Sequence, residues 1–202
     1  MIQDELLAKL NGRGFKAERF ATGAEAKARA LEIIGGRSVG IGGSATVRDL
    51  LLYETLKEQG NEVYWHWKVE KAEKKAERRR ACAADVYISS ANAILTDGRL
   101  VNIDGTGNRV AGLIYGPGTV IVLAGRNKIV EGGLDDAVER IKRCTCPKNA
   151  QRQNFDTPCA NTGKCADCRK PDRMCCVTTV HETPIKGQEA FYVLLFDEEM
   201  GL

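Results

Sequence analysis

Cys159, Cys165, Cys168 and Cys175 stand in the segment TPCANTGKCADCRKPDRMC with the spacing C-x5-C-x2-C-x6-C. Pro158, Gly163 and Pro171 interrupt this segment and it has no apolar period, so its thiols do not read as core packing. A loop that gathers several thiolates near one point is what a zinc ion or an iron–sulfur cluster requires. A zinc ribbon usually carries two C-x-x-C knuckles, and here only Cys165–Cys168 makes one. The C-x5-C-x2-C opening is one residue longer than the plant-type ferredoxin spacing, which favours an iron–sulfur cluster and leaves zinc as the alternative. Lys164, Arg169, Lys170 and Arg173 add positive charge that would offset thiolate charge. Cys82 reads as a small buried hydrophobe, while Cys144, Cys146 and Cys176 lie near enough in sequence to join the metal site.

A second chemistry is suggested by three glycine-bearing turns. Gly42-Gly43-Ser44-Ala45-Thr46 follows a short apolar run, Asp104-Gly105-Thr106-Gly107-Asn108-Arg109 follows Leu100–Ile103, and Gly125-Arg126-Asn127-Lys128 follows TVIVLA. Bare backbone N–H groups at a strand-to-helix turn make an anion cradle. Arg109, Arg126 and Lys128 add cations, so the three turns together imply a pocket for a small anionic metabolite. Gly40-x-Gly42-x-x-Ala45 matches the dinucleotide fingerprint in its Ala form, but His66-Trp67-Lys68 stands where an acidic residue should follow. Asp97 and Asp104 are the candidates for general acid or base, although each also suits an ordinary Asp-Gly turn. His66 and His181 are isolated in sequence and read as structural.

Alternating elements must carry these turns. Ile2, Leu6, Leu7 and Leu10 share helical spacing, and Phe15–Phe20 reads as a strand. Thr22 and Glu25 form the two halves of a capping box that opens a second helix, closed by Gly35-Gly36. Ser38–Ile41 reads as a strand, and Thr46 with Asp49 as the cap of a third helix running to Gly60. Glu62–Trp65, Val86–Ser89, Leu100–Ile103, Thr119–Leu123 and Phe191–Phe196 read as further strands, with helices over 69–81, 106–115 and 134–143. The basic run Lys74 to Arg80 reads as a solvated helix face. The pattern predicts an α/β fold, a mostly parallel sheet flanked by helices. It divides into an α/β domain over 1–148, a cysteine-rich metal-binding insert over 149–180, and a final strand over 181–202 that rejoins the sheet.

The totals narrow the function. At 202 residues the chain fits one domain with a sizeable core, and a net charge of +3 offers no reason to invoke nucleic acid or a membrane surface. MIQDELLAKL lacks the apolar stretch of a signal peptide, so the expected location is cytoplasmic, where clustered cysteines mean metal more often than disulfides.

The stretches GIGGSATVRDL, ADVYISSANAILTDGRLVNIDGTGNRVAGLIYG, VIVLAGRNKIV and TPCANTGKCADCRKPDRMC together resemble the lactate-utilisation (LUD) domain family, which includes the LutC type. The resemblance is to the branch that carries a C-terminal cysteine-rich loop. It implies a fold similar to ribose-phosphate isomerase and CoA transferases, and a part in oxidising L-lactate to pyruvate alongside iron–sulfur oxidoreductase partner proteins. DGRLVNIDGTG is similar to an element of sugar-phosphate isomerases on this fold, which implies that Asp97, Asn102, Gly105 and Thr106 line a ligand pocket.

Three functions are therefore expected. The first is a lactate-utilisation protein with an iron–sulfur or zinc site at Cys159, Cys165, Cys168 and Cys175, and an anion pocket. Gly42, Gly43, Ser44, Thr46, Asn102, Gly105, Thr106, Gly107, Asn108, Arg109, Arg126 and Lys128 would line that pocket. The second is an isomerase- or transferase-like enzyme on a phosphorylated or CoA-linked molecule, with zinc as a structural clip. The third is a ligand-binding module without turnover. A homo-oligomer is compatible with all three.

Overall fold

The computed structural model describes residues 2–202, with side chains from residue 4 onward. In chain order its elements begin with helix α1 (Ile2–Gly12), strand β1 (Lys16–Phe20), α2 (Gly23–Ile34), β2 (Val39–Ile41), α3 (Ala45–Asp49), α4 (Leu52–Glu58) and β3 (Val63–Tyr64). Next come α5 (Lys74–Ala83), β4 (Val86–Ser89), β5 (Ala93–Leu95), β6 (Leu100–Asp104), α6 (Asn108–Ile114) and β7 (Thr119–Gly125). The chain ends with β8 (Ile129–Val130), α7 (Leu134–Arg140), α8 (Cys146–Arg152), α9 (Pro158–Thr162), β9 (Val177–His181) and β10 (Ala190–Phe196). Among the described residues no helix is long and apolar enough to cross a membrane.

Six strands form a wholly parallel sheet in the order β1-β10-β7-β4-β2-β3. The expected α/β architecture is therefore present. β7 shows why the sheet must be covered on both sides: all seven of its residues are buried. Ile121 and Leu123 pack into one core with Val39, Ile88 and Leu194. Val120, Val122 and Ala124 pack into the other with Leu6, Leu10, Phe191 and Val193. Such continuous apolar strands are the mark of parallel sheets sandwiched by helices. Burying each large aliphatic side chain contributes roughly 1.5–3 kcal/mol. α1 supplies Leu6 and Leu10 to the second core, and the side chain of Ile2, expected on the same face, lies outside the described residues.

Leu100–Ile103 does not join this sheet. It forms β6 of a smaller mixed sheet, ordered β8-β5-β6-β9. The cause is local: Asp97-Gly98 closes a tight turn, with Gly98 at φ 90°, and folds β6 back antiparallel on β5. β9 then pairs antiparallel with β6, setting Asp104 opposite Val177. The stretch after Lys148 is also more structured than its composition suggests. α7 runs through a π-helical turn, Ile141–Thr145, directly into α8, where Pro147 occupies the first turn. Proline lacks the N–H that a regular helix would use there, which accounts for the widened turn before it.

Two helix starts differ from the sequence pattern. Ser44, not Thr46, caps α3, its hydroxyl accepting from the Val47 N–H at 3.2 Å. The helix expected to reach Gly60 is broken at Leu51, which sits in the left-handed region at φ 52°. By contrast, the Thr22/Glu25 capping box is present in both directions.

Candidate functional site

The carboxyl ends of β2, β3, β4 and β7 all open on one cavity of about 330 Å³ between the two sheets. Ligands gather at this end of open parallel sheets because turns there can present polar groups without breaking the core. Gly43, Ser44 and Thr46 of the first turn form part of the wall, as do Asp104, Gly105, Thr106, Asn108 and Arg109 of the second. From the third turn only Lys128 reaches it.

The remaining expected residues sit elsewhere. Gly42 lies behind the wall, its carbonyl accepting from Trp65 Nε1 at 3.2 Å. Asn102 is fully buried and its side-chain oxygen accepts from the Asn92 N–H at 3.1 Å. Gly107 donates its N–H to Asp104 Oδ1 at 3.2 Å. Arg126 is exposed and points to Glu199 at 3.4 Å. Asp97 belongs to the β5–β6 turn, its carboxylate held by Arg99 at 2.7 Å and facing Arg13 at 3.8 Å.

Asp104 reaches the cavity, but its oxygens are taken up. Thr106 and Gly107 donate to Oδ1 at 3.1 and 3.2 Å, and Arg109 and Val110 donate to Oδ2 at 3.1 and 3.2 Å. A carboxylate accepting four backbone N–H groups is a cap that shapes the second turn and starts α6. Arg109 is held by the same construction, since its Nη2 donates to Asn92 Oδ1 at 2.9 Å and to the Ile103 carbonyl at 2.6 Å.

Cations dominate the wall. Arg78, Arg109, Lys128, Arg152 and Arg173 line the cavity, against the carboxylates of Asp104 and Asp172. Arg78 makes no hydrogen bond or ion pair among the described residues, and its Nε is buried without a partner. Arg152 lies over the Trp67 ring, 4.5 Å from its centroid, and so braces α8 across the cavity against the segment after β3. Lys128 is 2 % exposed. Burial, first, and then the nearby charges of Arg140, Arg109 and Lys148 push its pKa down to about 7, only partly opposed by Cys144. His66 is 6 % exposed, and burial followed by the charge of Arg78 and Lys74 lowers it to about 4, so the ring is neutral at physiological pH.

His66, Trp67, Arg78, Ser90, Asn92 and Arg152 line the cavity without having been singled out from the sequence. A signal did exist for four of them. His66-Trp67 and Ser90-Ala91-Asn92 each follow a strand at its carboxyl end, where this fold places ligands. Arg78 and Arg152 carry no such mark, since only tertiary packing turns one face of each helix inward.

The cysteine loop lies beside this cavity. Pro171, Asp172, Arg173 and Met174 form part of the wall. Arg173 shapes the loop by donating to the carbonyls of Cys168 and Cys175 and to Asp167 Oδ1. All eight cysteines are free thiols. Among the described residues no group of three or more His, Cys, Asp or Glu side chains is disposed to hold a metal ion. The side chains of Cys159, Cys165, Cys168 and Cys175, as they stand, do not make a ligand set. Cys146 is buried, and interaction with Cys175 first, then burial and the charges of Cys159 and Cys165, push its pKa up. Cys175 is correspondingly lowered to about 6, by interaction with Cys146 and then by the charge of Arg173, against the cost of its own burial.

No curated protein matches the chain. A solved structure, a DUF162 family protein from Deinococcus radiodurans, superposes with a TM-score of 0.57 at 14% identity, covering 96% of each chain. At that identity the likeness is one of fold. The LUD domain model matches residues 4–196, spanning both sheets, the cavity and the cysteine loop, and the chain belongs to the LUD domain family.

Proposed function

We propose that this protein serves lactate utilisation by holding a small organic anion, a carboxylate or phosphate ester, in the cavity between its two sheets. Membership of the LUD domain family is consistent with that process at the family level. The observation that carries the reading is the charge of the wall: five cationic side chains, with Arg78 and Lys128 free of any ion-pair partner among the described residues, face two carboxylates, one of them capped by four backbone N–H groups. Cations left unpaired in a concave, partly desolvated site attract an anion of complementary charge. A volume of about 330 Å³ lies at the small end of ligand sites, which span ~300–1,000 Å³, and favours a short acid over a whole nucleotide cofactor.

Calorimetric titration with pyruvate, L-lactate and inorganic phosphate at low and high salt tests this. Binding that weakens with salt and is reduced in Arg78→Met supports it. Arg78 makes no structural hydrogen bond, so its loss leaves the fold intact, and unchanged affinity in the variant would count against the pocket. A turnover assay on any acid that binds separates an enzyme, including an isomerase- or transferase-like one, from a binding module.

A second reading concerns the loop. Iron–sulfur or zinc loading at Cys159, Cys165, Cys168 and Cys175 is favoured by their spacing. Metal analysis and an absorption spectrum after anaerobic purification test it, since a colourless, metal-free protein that takes up neither iron nor zinc would exclude the reading.

A further inference from the structure

Lys128 has a position that anion binding alone does not explain. It sits in the turn Arg126–Lys128 that follows β7, 2 % exposed, on the cavity wall. It makes no hydrogen bond and no ion pair among the described residues. The charge that acts on it most strongly is also positive: Arg140 fixes the same turn by donating to the Asn127 carbonyl at 2.6 Å, and to the Asn92 carbonyl and Thr145 Oγ1 at 2.7 and 2.8 Å. Arg140 thus meets three neutral oxygens. A lysine meant only as a counter-ion would ordinarily be solvated or paired. One that is desolvated and set beside other cations is disposed to give up its proton and act as an amine.

We propose that Lys128 is a nucleophile that condenses with the carbonyl carbon of a 2-oxo acid to form an imine, the acid's carboxylate being held by the guanidinium of Arg109 and the other cations of the wall. The proposal rests on the anion-pocket reading and adds the reacting atom. The amine's proton affinity supports it, because a pKa near 7 leaves a substantial neutral fraction at physiological pH. In the first step the lone pair of Nζ attacks the carbonyl carbon, the C–N bond forms, the carbonyl π pair moves to oxygen, and one proton passes from the nitrogen to that oxygen to give the carbinolamine. The carbinolamine then loses water: the nitrogen lone pair closes the C=N bond, the C–O bond breaks, and the departing hydroxyl leaves as water with the one proton remaining on nitrogen. No oxidant or reductant is consumed. A 2-hydroxy acid has no carbonyl at that carbon and gives no imine, so the step belongs after the dehydrogenation of a hydroxy acid rather than before it. Arg109 is suited to the carboxylate because its Nη2 is anchored while Nη1 makes no hydrogen bond among the described residues.

Borohydride trapping tests this directly. Wild-type protein is incubated with pyruvate or with L-lactate, reduced with sodium borohydride, and examined by intact mass and peptide mapping, while affinity for pyruvate is measured by calorimetry. The expected result is one reduced adduct per chain with pyruvate, mapped to Lys128, and none with L-lactate. Lys128→Arg should lose the adduct and keep measurable pyruvate binding. Mapping on the wild-type chain keeps the test decisive even where a substituted protein folds poorly. Pyruvate binding without an adduct overturns the imine and leaves the anion pocket standing. An adduct spread over surface lysines, equal in Lys128→Arg, overturns it as well. Neither binding nor adduct would remove both readings.

Discussion

Gly105 and Met174 are in backbone contact: a Cβ added to Gly105 would meet the Met174 carbonyl oxygen at 2.8 Å and its Cα at 2.9 Å. The cysteine loop therefore closes on the second glycine turn, and the adjacent Cys176 N–H donates to the Asp104 carbonyl at 3.0 Å. Main chain cannot swing aside as a flexible side chain can. Gly105→Ala should push the loop off the cavity, at a cost of roughly 1–3 kcal/mol. The measurement is proteolysis of the 160–176 segment together with pyruvate affinity. The expected variant is cut faster and binds more weakly, and an unchanged cleavage rate would show that the contact holds nothing in place.

Asp104 is expected to behave as a structural cap. Asp104→Ala leaves four N–H groups at the second turn without their acceptor, a loss of about 2 kcal/mol or more by analogy with capping and charge-assisted hydrogen bonds. Asp104→Asn keeps the shape but replaces an acceptor with a donor, so it too should be destabilised. Chemical denaturation reads both variants. Wild-type stability in Asp104→Asn would contradict the capping role and return Asp104 to the candidates for general base.

Much of this arrangement was legible in the chain. Thr119–Leu123 and Phe191–Phe196 announce buried parallel strands because every residue in them but Thr119 and Tyr192 is apolar, and the structure pairs them at the centre of the large sheet. The Thr22/Glu25 box and the Asp97-Gly98 turn are local signals, formed by residues within three or four positions of each other. Arg78 was not legible. It lies in a helix whose neighbours are nearly all charged, and nothing in its spacing distinguishes the face turned toward the cavity. The second sheet was missed for a related reason. Leu100–Ile103 has the composition of any buried strand, and its partner β9 is Val177–His181, more than seventy residues away and half exposed. The third turn divides: Lys128 faces the cavity while Arg126, two residues earlier, faces Glu199.

Cys146 and Cys175 shift in opposite directions, and their reactivity should show it. Cys146 is buried and held as the thiol, while Cys175 is drawn down to about 6 by Cys146 and Arg173. In reduced, chelator-treated protein at pH 7, iodoacetamide should label Cys175 and leave Cys146 largely untouched, because the thiolate is the reactive form. Labelling of Cys175 should fall as pH drops through about 6. Cys146→Ala and Arg173→Met should each slow it several-fold at pH 7, with the exposed Cys165 and Cys176 reporting general access. A Cys175 labelling midpoint near the ordinary thiol value of about 8.5 would refute the pairing.

Lys128 should also make stability depend on pH in one direction. The unfolded chain binds this proton up to the ordinary lysine pKa of about 10.4. The folded chain binds it only below about 7, against its own burial and the charges of Arg140, Arg109 and Lys148, which outweigh Cys144. Between those values the unfolded state holds more protons, so the contribution of Lys128 to stability rises with pH. Below about 7 both states are protonated and the full cost remains, on the order of 3–5 kcal/mol at one pKa unit per 1.36 kcal/mol. Lys128→Met deletes the titrating group. Urea denaturation should therefore find the variant more stable than wild type at pH 6, with the difference closing as pH approaches 10. Subtracting the two profiles cancels every other titration that they share. A saturating anion ligand should narrow the gap at pH 6, because a bound carboxylate favours the ammonium and raises its pKa in the folded state. A difference that stays constant from pH 6 to 10 would mean that Lys128 is charged throughout, and would remove the chemical basis for its acting as an amine.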